Sequence, residues 1–178
     1  MDIMDIDATN QNFRRRLPST ETLSKENVQM ILEWISECKT HHLKCRLPPS
    51  SSEPWLPTRL LDVGSDNGPE PHLPRVVETR GIPHTGLRYA ALSHMWGDGE
   101  LAPPLRTMQH NYHSVREAIQ LERLPQNFFD AIYTCRSLGI QYIWIDSLCI
   151  IQDSVPDWEG EAGAMHMVYK YAELMITA

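Results

Sequence analysis

The chain has 178 residues, 42% of them hydrophobic and 22% charged, a composition that fits a globular domain with a substantial core and excludes wholesale disorder. Sixteen basic residues stand against 23 acidic ones, a net charge of −7, which disfavours nonspecific nucleic-acid binding. No apolar run approaches the roughly 20 residues of a membrane span, and the acidic start Met1-Asp2-Ile3-Met4-Asp5 has no signal-peptide character. Four cysteines without a secretory signal then point to a cytoplasmic setting with reduced thiols.

Residues 1–20 are polar and irregular, with Arg14-Arg15-Arg16 and Pro18, and are expected to form a disordered lead-in. A helix is predicted from about Lys25 to Cys38, because Val28, Ile31, Leu32, Ile35 and Cys38 recur at helical spacing and Ser24 can cap it. Just beyond, Cys38, His41, His42 and Cys45 lie within eight residues. Their spacing matches no zinc finger and no second ligand cluster accompanies them, so no metal site is expected. Pro48 to Pro54 makes an extended linker. Two short strands follow, Arg59–Val63 and Arg75–Thr79, joined by a loop rich in Gly, Pro, Asp and Asn, as in a hairpin. Residues 21–86 thus form an N-terminal helix, linker and β-hairpin.

From residue 87 onward the pattern alternates. Tyr89–Ser93 and Gln141–Asp146 are predicted strands, and Leu174–Thr177 begins a third. Between them lie predicted helices around Gln109–Ala118, at Pro125–Leu138 with Phe128, Ile132 and Cys135 inward and Gly139 as terminator, and at Asp157–Ala172. Strands alternating with helices imply right-handed crossovers and a parallel sheet flanked by helices, an α/β fold in the manner of flavodoxin-like domains. Ligands of such sheets bind outside the carboxyl ends of the strands. There the sequence offers Ser93-His94-Met95-Trp96-Gly97 and Asp146-Ser147-Leu148-Cys149.

In the helix after Asp157, the residues Trp158, Ala162, Met165, Tyr169 and Ala172 form an apolar stripe, with Glu161 at its edge and Glu159, His166 and Glu173 solvated. A carboxylate wrapped by Trp158 and Met165 is desolvated, as many catalytic acids are; the competing reading is a glutamate that favours the helix N-terminal half through the macrodipole. Cys149 sits among apolar neighbours and is expected as a packed thiol rather than a nucleophile, and His94 as a packing residue rather than a general base. Asp146 serves loop amides or catalysis, and Trp96 either stacks on a ligand or plugs the core. Gly97 and Gly99 make no phosphate-binding signature.

The strings Tyr89-Ala90-Ala91-Leu92-Ser93-His94-Met95-Trp96-Gly97, Leu124-Pro125-Gln126-Asn127-Phe128-Phe129-Asp130-Ala131-Ile132 and Leu138-Gly139-Ile140-Gln141-Tyr142-Ile143-Trp144-Ile145-Asp146-Ser147-Leu148-Cys149-Ile150-Ile151-Gln152-Asp153 resemble the fungal heterokaryon incompatibility (HET) domain. Asp157-Trp158, Glu161, Met165, Tyr169 and Ala172 continue the likeness in order, and Trp34-x3-Cys38-x6-Cys45 and Leu56-Pro57-Thr58-Arg59-Leu60-Leu61-Asp62-Val63 look like its usual lead-in, so that the likeness covers roughly residues 30–178. The resemblance implies a role in fungal non-self recognition and programmed cell death. It also implies a distant kinship with TIR domains, hence a TIR-like sheet and a possible NAD-cleaving activity, with NAD as substrate and no cofactor. By that analogy the catalytic residue is Glu161 in Trp158-Glu159-Gly160-Glu161, with Ser93, Trp96, Gly97, Asp146 and Trp158 as substrate-binding residues. The alternatives are a non-enzymatic module that self-assembles or docks a sensor protein, and an inactive copy. Domains of this family continue past the strand starting at Leu174, so residues 87–178 are expected to be an incomplete HET domain.

Overall fold

The computed structural model describes residues 23–42, 55–66, 71–82, 86–95 and 105–178. The expected lead-in at 1–20, the linker, Cys45 and the Trp96-Gly97 pair lie outside the described residues. The chain divides into two compact units, residues 1–46 and 47–178. In the first, helix α1 (Lys25–His41) starts where predicted: the Ser24 hydroxyl oxygen accepts the Asn27 N–H at 3.2 Å, satisfying one of the free amides of the first turn. Trp34 and Leu32 are exposed on this helix.

The second unit is built on a five-stranded sheet of β1 (Arg59–Asp62), β2 (Arg75–Glu78), β3 (Tyr89–Ser93), β4 (Tyr142–Trp144) and β5 (Leu174–Thr177), in the order β2-β1-β4-β3-β5. Its helices are α2 (Tyr112–Glu117), α3 (Gln126–Ser137), the single turn α4 (Asp146–Cys149) and α5 (Val155–Tyr171). β3 is parallel to both β4 and β5, and the first of these three strands lies in the middle, as in flavodoxin-like sheets. The α/β expectation is met, with one addition. The hairpin does not stand apart from the sheet: β1 pairs antiparallel with β4, Leu61 opposite Ile143 and Asp62 opposite Tyr142, and β1 also pairs with β2. The sheet is therefore mixed, a parallel trio extended by an antiparallel pair.

The two parallel crossovers leave β3 and β4 in opposite directions across the sheet. Right-handed connections then put α3 and α5 on opposite faces. Side-chain alternation matches this. Leu60, Tyr89, Ala91 and Trp144 join Val168, Cys149 and Ile150 in one cluster, over which Met165, Tyr169 and Ala172 of α5 pack. The alternate residues Leu61, Ala90, Leu92, Ile143 and Ile145 are buried as well, as are Phe128, Ile132 and Cys135 of α3. Strands buried on both faces explain why β3 and β4 read as continuous apolar runs rather than alternating ones.

Two glycines set the chain's direction. Gly139 (φ 68°) ends α3 in a Schellman arrangement, with Gly139 N–H bonded to Arg136 O and Ile140 N–H to Cys135 O at 2.9 Å. Gly64 (φ 73°) follows β1, and a Cβ there would sit 2.4 Å from His72 O and 2.9 Å from Pro74 N. Gly64→Ala is therefore expected to cost at least about 2 kcal/mol, combining the left-handed backbone penalty with an overpacked contact. Gly139→Ala, whose Cβ meets nothing within 4 Å, should cost only about 1 kcal/mol. Denaturant unfolding of both variants checks the difference, and equal costs would show that the Gly64 contact relaxes freely.

Candidate functional site

The carboxyl ends of β3 and β4 bring together Ser93, His94 and Asp146. Ser93 ends β3, and the Tyr169 side chain of α5 reaches back to hydrogen-bond it. His94 follows, with its ring 2% exposed and set edge-on to Phe128 at 4.7 Å and 89°. Its Nδ1 lies 3.7 Å from Asp146 Oδ1. The packing role expected for His94 is what this geometry displays, with an acidic neighbour added. Asp146 does not end the strand. It opens α4, where Oδ1 accepts the Ser147 N–H at 2.6 Å, the loop-amide role weighed for it. Buried Thr107 braces this turn: its hydroxyl donates to Leu148 O at 2.6 Å, and its amide donates to Ser147 O at 2.9 Å. Burial raises the Tyr169 hydroxyl pKa and the Asp146 charge adds to the rise, while the Ser93 hydrogen bond opposes them.

A second cluster stands beside the first. Because β1 runs antiparallel to β4, its first residue, Arg59, lies level with the carboxyl end of β4. Arg59 is buried. Its Nε donates to Cys149 O at 2.7 Å, and its Nη2 donates to both carboxylate oxygens of Asp157, at 2.6 and 2.5 Å. The same Nη2 is 3.8 Å from Glu161 Oε1. Asp157 also accepts the Ile151 N–H at 2.8 Å, so one carboxylate ties the start of α5 to the chain leaving α4. The Arg59 guanidinium lies 5.9 Å from the centre of the Tyr112 ring, and the Tyr112 hydroxyl donates to Glu78 at 2.7 Å. Burial opposes the Arg59 charge, but the Asp157 bonds and the fields of Asp157, Glu161 and Tyr112 leave its pKa raised.

Glu161 is only 6% exposed. Burial raises its pKa; the Thr58 hydroxyl bond and the Arg59 charge work against that, and the Asp157 charge adds to it. The desolvation foreseen for this carboxylate is present, but its source differs. Trp158 does not wrap it: that ring is 51% exposed. The inward face of α5 runs through Glu161, Met165, Val168 and Ala172, so Glu161 lies within the buried stripe and Trp158 outside it. The buried Arg59 explains why the two acids face inward, since it draws Asp157 and Glu161, one turn apart, toward β1. Glu173, expected to be solvated, is also buried at its side chain and receives Arg88 Nη1 at 2.9 Å. Cys149 sits between the two clusters. Burial pushes its thiol up to about 12, and the fields of Arg59, Glu161 and Asp146 all reach it. This is a packed thiol, not an activated one.

Arg59, Asp157, Thr58 and Tyr169 were not picked out as site residues, although the family-like strings contain all four. The roles of Arg59 and Asp157 depend on a pairing between residues 98 positions apart, which no local pattern announces. No group of three potential metal ligands occurs among the described residues, and no described helix is long and apolar enough to cross a membrane.

A family model described as heterokaryon incompatibility protein (HET) matches residues 89–178. No curated protein and no solved structure is similar enough to match.

The raised pKa of Glu161 has a consequence for stability. The folded state binds this proton more tightly than the unfolded chain, so the stability Glu161 contributes is full below the ordinary glutamate pKa and is lost as pH rises through the raised folded value. Unfolding measured against pH should show Glu161→Gln gaining on the wild type across that window and levelling off above it. Parallel profiles would contradict the assignment.

Proposed function

The chain belongs to the heterokaryon incompatibility (HET) family, and on that premise we propose that it is an effector of cell death in fungal non-self recognition that cleaves NAD between nicotinamide and ribose. The observation that carries this reading is Glu161, a buried carboxylate with a raised pKa, facing the carboxyl end of the sheet's parallel strands, where ligands of this architecture bind. In the reaction the bond from the ribose C1′ to the nicotinamide nitrogen breaks, and its electron pair leaves with neutral nicotinamide. The ribose carries oxocarbenium character, which the Glu161 carboxylate stabilises as a carboxylate does in glycoside hydrolysis. Water then adds to C1′ and loses a proton, giving ADP-ribose. Ser93 and Asp146 are suited to hydrogen-bond ribose hydroxyls, and the half-exposed Trp158 to stack on a flat ring; in the sequence, Trp96 and Gly97 come three and four residues after Ser93.

A specific observation favours a second reading. The Glu161 side chain is 8% exposed and already has a cationic neighbour, while Val155 and Trp158, one turn apart at the start of α5, are largely open to solvent. On this reading the chain acts without chemistry, through a second copy or a sensor protein docked on that face.

The two readings separate in one experiment. Purified chain at high concentration is incubated with NAD and nicotinamide release is followed, while the same variants are expressed in cells to score toxicity. NAD cleavage is expected in the wild type and should fall by about 100-fold or more in Glu161→Gln, the usual effect of removing a group that stabilises transition-state charge, with toxicity lost in parallel. Intact NAD together with toxicity that survives Glu161→Gln would establish the docking reading instead.

A further inference from the structure

We infer that Arg59, which precedes the segment matched by the HET family model, is a positioning residue for Glu161: it fixes the carboxylate at the carboxyl end of β4 while leaving its oxygens free of directional bonds from the guanidinium. The inference deepens the reading of Glu161 as the reactive carboxylate and rests on it.

The Arg59 guanidinium divides its donors unequally. Arg59 Nε is committed to Cys149 O. Nη2 is committed to Asp157, reaching both of its oxygens. Glu161 stands 3.8 Å from that same nitrogen, close enough to feel the charge and too far for a hydrogen bond. Asp157 therefore takes the directional bonds and Glu161 takes the field. A carboxylate held this way keeps lone pairs for a ligand, which a bidentate Arg–Glu pair would consume.

The surroundings make the arrangement rigid. Arg59 belongs to a strand whose four residues are all buried, and Tyr112 of α2 lies against its guanidinium. Asp157 is fixed in turn by the Ile151 amide. The groups facing Glu161 are Thr58 just before β1, Arg59 in β1, Asp157 on its own helix and Cys149 of α4; Tyr112 and Glu78 stand behind Arg59. Two acids share one base at this place, so each partner's removal should move Glu161 in a different direction. Without Arg59 the carboxylate loses its counter-charge. Without the Asp157 charge it loses a repulsive neighbour and gains the undivided attention of Arg59.

The test is the proton titration of Glu161, read by carboxyl carbon NMR without NAD, in the wild type, Arg59→Gln, Arg59→Lys and Asp157→Asn. Glu161→Gln assigns the resonance, and circular dichroism verifies folding. The Glu161 midpoint is expected to rise by about one pH unit or more in Arg59→Gln, to stay nearer the wild type in Arg59→Lys, and to fall in Asp157→Asn. An Arg59–Asp157 pair that did not act on Glu161 would produce no such opposed shifts. An unmoved midpoint in the folded variants overturns the inference; if Arg59→Gln does not fold, Arg59→Lys and Asp157→Asn decide it alone. The nicotinamide-release assay separates the two claims. Opposed shifts with intact NAD would retain Arg59 as the positioning residue and remove the NAD reading, whereas NAD cleavage that requires Glu161 but accompanies an unmoved midpoint would do the reverse.

Discussion

One buried guanidinium holds the second compact unit's candidate site in shape. Arg59 belongs to a hairpin that the family model does not match, yet its donors end on α4 and α5. An arginine is placed in a protein interior at a high desolvation cost, which only good pairing offsets. Here the pairing is a carboxylate reached at both oxygens, a backbone carbonyl and an aromatic ring. Remove the cation, and Asp157 and Glu161 face each other one helical turn apart in a dry place. The start of α5, the exit from α4 and the head of β1 are thus mutually dependent.

This dependence follows from the sheet. Adding β1 antiparallel to β4 carries the start of the hairpin strand to the carboxyl edge of the parallel trio, the edge at which open α/β sheets bind ligands. The opposite pairing direction would have put Arg59 at the other end of the sheet. The same edge receives Ser93, His94 and Asp146 from β3 and β4, and the packed Cys149 lies between this group and the Arg59 group. The site is therefore assembled from segments spread over more than a hundred residues, and its electrostatics belong to the assembly rather than to any one segment.

What the sequence made legible was whatever repeats locally. The helices α1, α3 and α5, the caps at Ser24 and Gly139 and all five strands could be read from periodicity and turn chemistry, because each depends on neighbours within a few residues. Non-local pairing was the part that could not be read. Nothing in Arg59-Leu60-Leu61-Asp62 says that β1 will pair with β4. Without that pairing, Trp158 outranks Glu161 as an inward residue on hydrophobicity alone. The buried Arg59 reverses the ranking, since two acids at helical spacing follow the cation inward and the indole is left in solvent. Glu173 was misread for the same reason: its partner, Arg88, lies 85 residues away.

Arg59 and Asp157 act as one buried unit that joins the hairpin to α5. A double-mutant cycle on unfolding free energy with Arg59→Met, Asp157→Asn and the double variant tests it most directly. The expected coupling energy is at least about 1.5 kcal/mol, beyond the roughly 0.2–1 kcal/mol of exposed ion pairs, with the double variant less destabilised than the two single losses added together. Additive losses, within about 0.5 kcal/mol, would show instead that the two residues do not depend on each other.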